Sequence, residues 1–206
     1  MTSISYCISV CNEAEELNKL LGELIPNIDS EDEIIILADT SKITSEVSQV
    51  ISNFKAFKPI ELIGADLNGD FATFKNNFIG SATKDYIFQI DADETLNSEM
   101  FLSLKQVLEF NPEVDIFFVP RENYVSGLTQ NHINQWRWQV DEKQRINFPD
   151  YQQRLFKNNK QIKWKNKVHE VLEGYNTFSP LPNDYCLIHS KTIEKQEKQN
   201  SYYNTL

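Results

Sequence analysis

The chain opens on an apolar stretch, Ile4–Val10, that gives way to Asn12, Glu13, Glu15 and Glu16 and then to Leu17, Leu20, Leu21 and Leu24 at helical spacing. A strand therefore feeds an amphipathic helix, with Asn12 as the expected N-cap and acidic side chains favoured at the positive helix start. Glu33–Asp39 is the continuous apolar run of a strand covered on both faces, and residues 44–54 follow with helical period. Residues 58–64 predict a third strand. Asp70 then caps a helix carrying Phe71, Phe74, Phe78, Ile79 and Ala82 on one face, and residues 85–90 predict a fourth strand. Ser98–Phe110 predicts a helix with Phe101, Leu104 and Leu108 inward, and residues 114–120 the strand after it. This alternation through residue 120 predicts an α/β fold, a mainly parallel sheet with helices on both faces.

Beyond residue 120 the pattern breaks into short aromatic segments at 136–138, 151–156, 162–164 and 185–188, separated by turn residues. They predict antiparallel strands and loops lying over the mouth of the sheet, and residues 191–206 a polar terminal helix. A length of 206 residues with 40% hydrophobic and 24% charged positions suits one hydrophobic core. The expected organisation is a single domain, with 1–120 as its α/β part, 121–190 covering the sheet and 191–206 as the terminal helix.

The net charge of −10 argues against nucleic acid as a partner, because phosphate contacts need clustered Lys and Arg. The charge is split, however: residues 1–150 hold 11 Lys and Arg against 25 Asp and Glu, whereas 151–206 hold 9 against 5. Lys163, Lys165 and Lys167 form either a solvated basic face or an attraction for an anionic acceptor or membrane surface. Cys7, Cys11 and Cys186 are odd in number and lack C-x-x-C spacing, so they read as reduced core residues. No apolar stretch is long enough to span a membrane and no basic segment opens a signal peptide, so the expected location is the cytoplasm.

The densest chemistry is Asp91-Ala-Asp93-Glu94-Thr95, three carboxylates within four residues at the end of a predicted strand. Open α/β sheets bind ligands at that edge. Carboxylates so crowded need solvent, hydrogen-bond donors or a hard divalent cation such as Mg²⁺ or Mn²⁺. A solvated acidic turn satisfies the local string as well. A calcium EF-hand does not, because Leu96 and Leu102 stand where its glycine and its glutamate belong. Asp-x-Asp-x-Thr also satisfies the nucleophile string of haloacid-dehalogenase phosphatases, which lies on the first strand of that family, whereas about 90 residues precede it here.

A longer series of strings resembles the family 2 glycosyltransferases of the GT-A fold. It comprises Ser9-Val10-Cys11-Asn12-Glu13, Ile34 through Asp39-Thr40-Ser41, and Lys75-Asn76, with Lys75 where the family usually has Arg. Asp91-Ala-Asp93-Glu94, Tyr151-Gln152-Gln153-Arg154-Leu155-Phe156 and Lys167-Val168-His169-Glu170 follow in order. The last two are similar to strings in the branch of lipopolysaccharide-core glucosyltransferases.

The resemblance implies a metal-dependent, inverting transfer of a sugar from a nucleotide-diphosphate sugar, a UDP-sugar by preference, to an acceptor hydroxyl on a glycan or lipid-linked glycan. It implies Asp93 as metal ligand and Asp91 on the ribose or on the metal through water. His189 is the candidate further ligand, with a structural role as the alternative. Asp39 is expected to accept from the nucleotide base and Glu13 to reach the ribose, against plain roles as a loop carboxylate and a helix-dipole partner. Lys75 is expected to face the base or the diphosphate, or else solvent. Glu170 is the expected general base, with Glu94 as the second candidate. Arg154 would fork onto a phosphate or an acceptor carboxylate, or else pair with Glu170 or Asp150. Trp136, Trp138 and Trp164 would stack on sugars or order the core. A non-catalytic nucleotide-sugar or carbohydrate-binding module of the same fold is the alternative to an enzyme.

Overall fold

The computed structural model describes residues 2–203. Five strands and four helices come first: β1 (Ile4–Val10), α1 (Ala14–Leu24), β2 (Glu33–Asp39), α2 (Ser45–Lys55), β3 (Ile60–Ala65), α3 (Phe71–Ser81), β4 (Tyr86–Asp91), β5 (Glu94–Leu96) and α4 (Ser98–Phe110). Then come β6 (Ile116–Ser126), α5 (Gln130–Trp136), β7 (Ile146–Lys157), β8 (Lys163–Lys165), β9 (Val171–Glu173), β10 (Phe178–Pro180), β11 (Leu187–Thr192) and α6 (Ile193–Tyr203).

The main sheet runs β3-β2-β1-β4-β7-β6-β11-β5, with β10 beside the first residues of β6. β3, β2, β1 and β4 are parallel; β7 runs antiparallel between β4 and β6, and β5 runs antiparallel to β11. Because side chains alternate across a strand, the sheet divides the core in two. Tyr6, Ile8, Ile36, Phe88 and Ile90 pack against the leucines of α1, against Val47 and Ile51 of α2, and against Met100, Leu104 and Leu108 of α4. On the other face Cys7, Ile35, Leu37 and Ile87 meet Phe74, Phe78 and Ile79 of α3, with Ile162, Trp164 and Leu172 from the β8–β9 hairpin. The expected mainly parallel sheet with helices on both faces is therefore present.

Several local expectations are corrected. Asn12 does not cap α1: Glu13 takes the N-cap position without a side-chain cap bond, and its Oε2 accepts the N–H groups of Cys11 and Asn12 at 2.8 and 3.0 Å. The third strand starts at Ile60 and not at 58, since Pro59 has no N–H to give a ladder. Helix α3 buries Ala72 and Lys75 in place of Phe71, and α4 buries Met100 in place of Phe101.

The strand ending at Pro120 in the sequence reading continues to Ser126. Pro120 falls in the gap between the registers of β10 (up to Phe118) and β11 (from Arg121), where β6 has no ladder partner on that side. Residues 136–138 form no strand: Thr129 and His132 make a capping box that starts α5, and Arg137 ends it in the left-handed region. Part of 121–190 extends the sheet, since β7 supplies hydrogen bonds to the open edge of β4 and β11 lies beside β6. β11 is antiparallel to β5, as expected, but parallel to β6. The last three residues of the expected terminal helix lie outside the described residues.

Asn76 ties the β8–β9 hairpin to α3, donating from Nδ2 to the Trp164 carbonyl and accepting the Trp164 N–H. Gly174 closes that hairpin at φ 88°, where an added Cβ would stand 2.3 Å from the Gln161 carbonyl oxygen. Gly174→Ala is expected to destabilise the chain by about 1–3 kcal/mol, seen as a fall of several degrees in Tm; an unchanged Tm would mean that the hairpin relaxes freely.

Candidate active site

The carboxyl ends of β1, β2 and β4 open onto a cavity of about 570 Å³. Asp39 closes β2, Asp91 closes β4, and Glu13 stands just past β1; all three line the cavity. Asp39 is buried, and its Oδ1 accepts from the Ser41 N–H and hydroxyl and, at 3.4 Å, from the Leu67 N–H. Its Oδ2 is buried without a partner. Such an orphan carboxylate oxygen is costly unless a ligand donates to it.

Asp93 and His189 are 96 residues apart in sequence and meet because β5 pairs with β11, in a register that sets His189 opposite Glu94. His189 Nε2 lies 3.2 Å from Asp93 Oδ2, and its Nδ1 lies 2.9 Å from Asn123 Oδ1. Asn123 gives its Nδ2 to the carboxylate of Asp150 at 2.8 Å, which accepts only, so Oδ1 is the atom that faces the imidazole. Nδ1 must then carry a proton, which leaves Nε2 as the ring atom that faces Asp93.

The 3.2 Å between Nε2 and Oδ2 is close to the roughly 3 Å edge between neighbouring ligands of an octahedral cation with bonds near 2.1 Å. The pair therefore fits two corners of a Mg²⁺- or Mn²⁺-like site. Among the described residues no group of three or more His, Cys, Asp or Glu side chains could hold an ion by itself. Water and substrate oxygens would complete the coordination, as is usual for Mg²⁺.

Behind Asp91 lies a buried ionic network. The register between β6 and β7 slips between Phe117 and Phe118, leaving Arg154 as the extra residue of a bulge that re-aims it toward the site. Arg154 Nη2 donates to Asp91 Oδ2 and, at 3.2 Å, to Glu94 Oε1. Arg121 Nη1 reaches the same Glu94 oxygen at 3.0 Å, and its Nε and Nη2 bind Asp150. Glu94 Oε2 accepts the Asp91 N–H at 3.0 Å, so both oxygens of this fully buried carboxylate are committed. Burial opposes the charge of Asp91, but Arg154 and Lys75 outweigh it and hold the carboxyl below the usual carboxylate range. Asp93 is half-buried, and the His189 contact lowers its carboxyl against the cost of desolvation.

Of the two expected bases, Glu170 lines the cavity and Glu94 sits behind it. Lys75 lines the cavity, ion-paired with Glu170 and 4.9 Å above the Trp164 ring. Arg154 pairs with Asp91 and Glu94, not with Glu170 or Asp150, and keeps its Nε and Nη1 without partners. Trp138 lines the cavity, Trp136 stacks on His132, and Trp164 is packed edge-on to Phe156.

The sequence reading missed Arg121, Asn123 and Lys191. Arg121 and Asn123 lie past Pro120, where the strand had been expected to stop, and Lys191 follows His189 at the two-residue period of one strand face. Burial lowers the Lys191 ammonium, against the pull of Asp93, and its Nζ donates to Gln199 of α6. Among the described residues no helix is long and apolar enough to cross a membrane.

Comparison with known proteins gives three results. The model of the family described as Glycosyl transferase family 2 matches residues 5–173. A TPR repeat-containing protein of Synechococcus elongatus is 29% identical over 174 residues, 84% of this chain and 36% of its own. The SPbeta prophage-derived glycosyltransferase SunS of Bacillus subtilis is 27% identical over 182 residues, 87% of this chain and 37% of its own. The chain thus spans little more than a third of the length of either relative. Among solved structures, S. aureus TarS 1-349 in complex with UDP-GlcNAc superposes with a TM-score of 0.64 at 15% identity, over 92% of this chain and 58% of that one. The mannosyltransferase PcManGT of Pyrobaculum calidifontis with GDP-Man and Mn²⁺ gives 0.60 at 14% identity, over 90% and 56%. These likenesses show the GT-A fold.

Glu94→Ala strips both arginines of a shared counter-charge, and is expected to cost about 3–5 kcal/mol in urea unfolding; a loss confined to activity would contradict the structural role given to it here. Asp91 and Asp150 have lowered carboxyl pKa values, burial being outweighed by Arg154 and Arg121 respectively. The stability they contribute is present above the ordinary carboxylate value near 4 and is lost as pH falls through the lowered values, so Tm is expected to drop below about pH 4.

Proposed function

The chain belongs to glycosyl transferase family 2, and on that premise we propose that it transfers a glycosyl group from a nucleotide-diphosphate sugar, a UDP-sugar by preference, to an acceptor hydroxyl with inversion. The observation that carries the reading is the convergence in one cavity of an unpartnered Asp39 oxygen, the Asp93–His189 pair and Glu170. TarS, solved with UDP-GlcNAc, and PcManGT, solved with GDP-Man and Mn²⁺, support the donor class and the cation.

Asp39 Oδ2 would accept the ring N–H of the base, and Glu13, already braced by two backbone N–H groups, would meet the ribose together with Asp91. Asp93 and His189 would hold the divalent cation, which supplies charge neutralisation for a departing diphosphate. Arg154, Arg121 and Lys191 add fixed positive charge around the same edge. Glu170 would take the acceptor proton as the new glycosidic bond forms. Lys75 is ion-paired with Glu170 Oε1, so the general-base step requires the acceptor hydroxyl to reach a Glu170 oxygen beside that ammonium. Residues 1–120 would bind most of the nucleotide and 121–190 the acceptor, and we place the chain in the cytoplasm, a reading its three free cysteines support.

The phosphatase reading is set aside, because Asp91 is clamped by Arg154 and the family match spans residues 5–173. A non-catalytic sugar-nucleotide module is the second reading, favoured by the Lys75–Glu170 pair that partly neutralises the base.

UDP-sugars with Mn²⁺ are expected to raise Tm; if no nucleotide sugar does so, the assignment fails. Asp93→Ala should abolish the metal-dependent part of that shift together with turnover. Glu170→Gln should lower transfer by about 10²–10⁴-fold with donor binding intact, and donor hydrolysis by the parent chain but not by Glu170→Gln would separate an enzyme from a binding module.

A further inference from the structure

A second cavity, of about 340 Å³, lies on the far side of the wall formed by Lys75, Gln152, Arg154 and Glu170, all of which line both cavities. Two cavities sharing a wall that contains the candidate base are what a two-substrate transfer requires. We propose that this second cavity is the acceptor subsite and that it takes a neutral sugar ring; the proposal rests on the glycosyl-transfer reading above.

The chemistry of its lining selects the occupant. Phe118, Tyr151 and Trp164 contribute aromatic surface, and Gln152 and Gln153 contribute amides. A pyranose offers matching halves: a C–H face that packs on rings and a rim of hydroxyls that bond to amides. The volume is at the low end of the roughly 300–1,000 Å³ typical of small-ligand sites, which suits the terminal residue of a glycan.

An aromatic platform continues outward from the cavity. Phe118 stacks on Phe178 at 5.2 Å, and Tyr175 meets Phe178 edge-on at 6.3 Å. Phe178 is 58% exposed and Tyr151 41%, an apolar surface beside a cavity that marks a binding face. The platform would carry the next sugar of the acceptor.

Charge argues for a neutral acceptor over an anionic one. Each charged group in the wall already has a counter-ion within the protein: Lys75 has Glu170, and Arg154 has Asp91 and Glu94. Lys163 and Lys165, two of the basic residues that suggested an anionic acceptor, point elsewhere. β8 alternates, so Trp164 faces inward while Lys163 and Lys165 are exposed on the opposite side, Lys165 paired with Glu173 at 2.7 Å. A hydroxyl entering from the second cavity meets Glu170 at the wall, on the side away from the nucleotide carboxylates Asp39 and Glu13.

The test uses the full chain with two independent readouts. Saturation-transfer NMR follows maltose, lactose and cellobiose as neutral probes, with glucose 6-phosphate, phosphatidylglycerol vesicles and a serine-rich peptide as the competing classes. Thermal shift with UDP-sugar and Mn²⁺ follows the donor. Tyr151→Ala and Phe178→Ala, both at exposed rings, are expected to weaken neutral saccharide binding about three- to tenfold and to leave the donor shift unchanged. The proposal is overturned if no neutral saccharide binds, if binding survives both substitutions at full strength, or if the phosphorylated, vesicle or peptide probe binds in its place. A missing donor shift with Tyr151-dependent saccharide binding would overturn the transfer reading and leave the sugar site standing.

Discussion

Glu94 has no exposed surface and shares one oxygen between two guanidinium groups while the other holds the Asp91 N–H. That carboxylate joins the start of β5 to β6 through Arg121, to β7 through Arg154 and to the end of β4 through the Asp91 backbone. Removing either sign would leave an uncompensated buried charge, a penalty larger than the net contribution of the intact pair. The network is therefore better understood as a constraint on geometry than as a source of stability. It fixes Asp91 and, through the β4–β5 turn, sets where Asp93 can stand.

The same logic of committed groups runs outward. Asp150 accepts from Arg121, Asn123 and Gln152, and Asn123 in turn fixes the imidazole of His189. Polar side chains that share a network polarise and orient one another, so the ligand-facing atoms are presented by partners that face away from the ligand. Lys75 plays that part for Glu170, with Trp164 beneath its ammonium. A lysine there makes a single-point contact where an arginine would fork, and leaves the remaining carboxylate oxygen outside the pair.

Much of this was legible in the sequence, and the part that was not has a physical reason. Period and capping located the first half: β2 and α4 fell on their predicted residues, because a strand buried on both faces and a helix capped by Asn97 carry strong local signals. The order of short strings placed Asp39, Asp91, Asp93 and Glu170, His189 was picked out as an imidazole ending an apolar run, and all five line one cavity. What failed depended on partners distant in sequence. β7 reads as a loop-rich aromatic segment until β4 and β6 are seen on either side of it, and Arg121 is invisible as a site residue until the strand is known to pass Pro120. The bulge at Arg154 is a relation between two strands and has no signature in either alone. Asn12 was misjudged as the cap of α1 because Glu13, three residues beyond the strand, takes the N-cap position and turns its carboxylate back to the Cys11 and Asn12 N–H groups.

The placement of β7 also governs how the chain must assemble. β4 and β6 never pair with each other; each is completed by a strand that emerges after both of them. Until residues 146–157 leave the ribosome, two apolar strands stand with unpaired edges. Such edges invite pairing with other chains. The arginine that anchors Asp91 arrives on that inserted strand, so closure of the β4 edge and the pairing of Asp91 with its guanidinium are one event in folding.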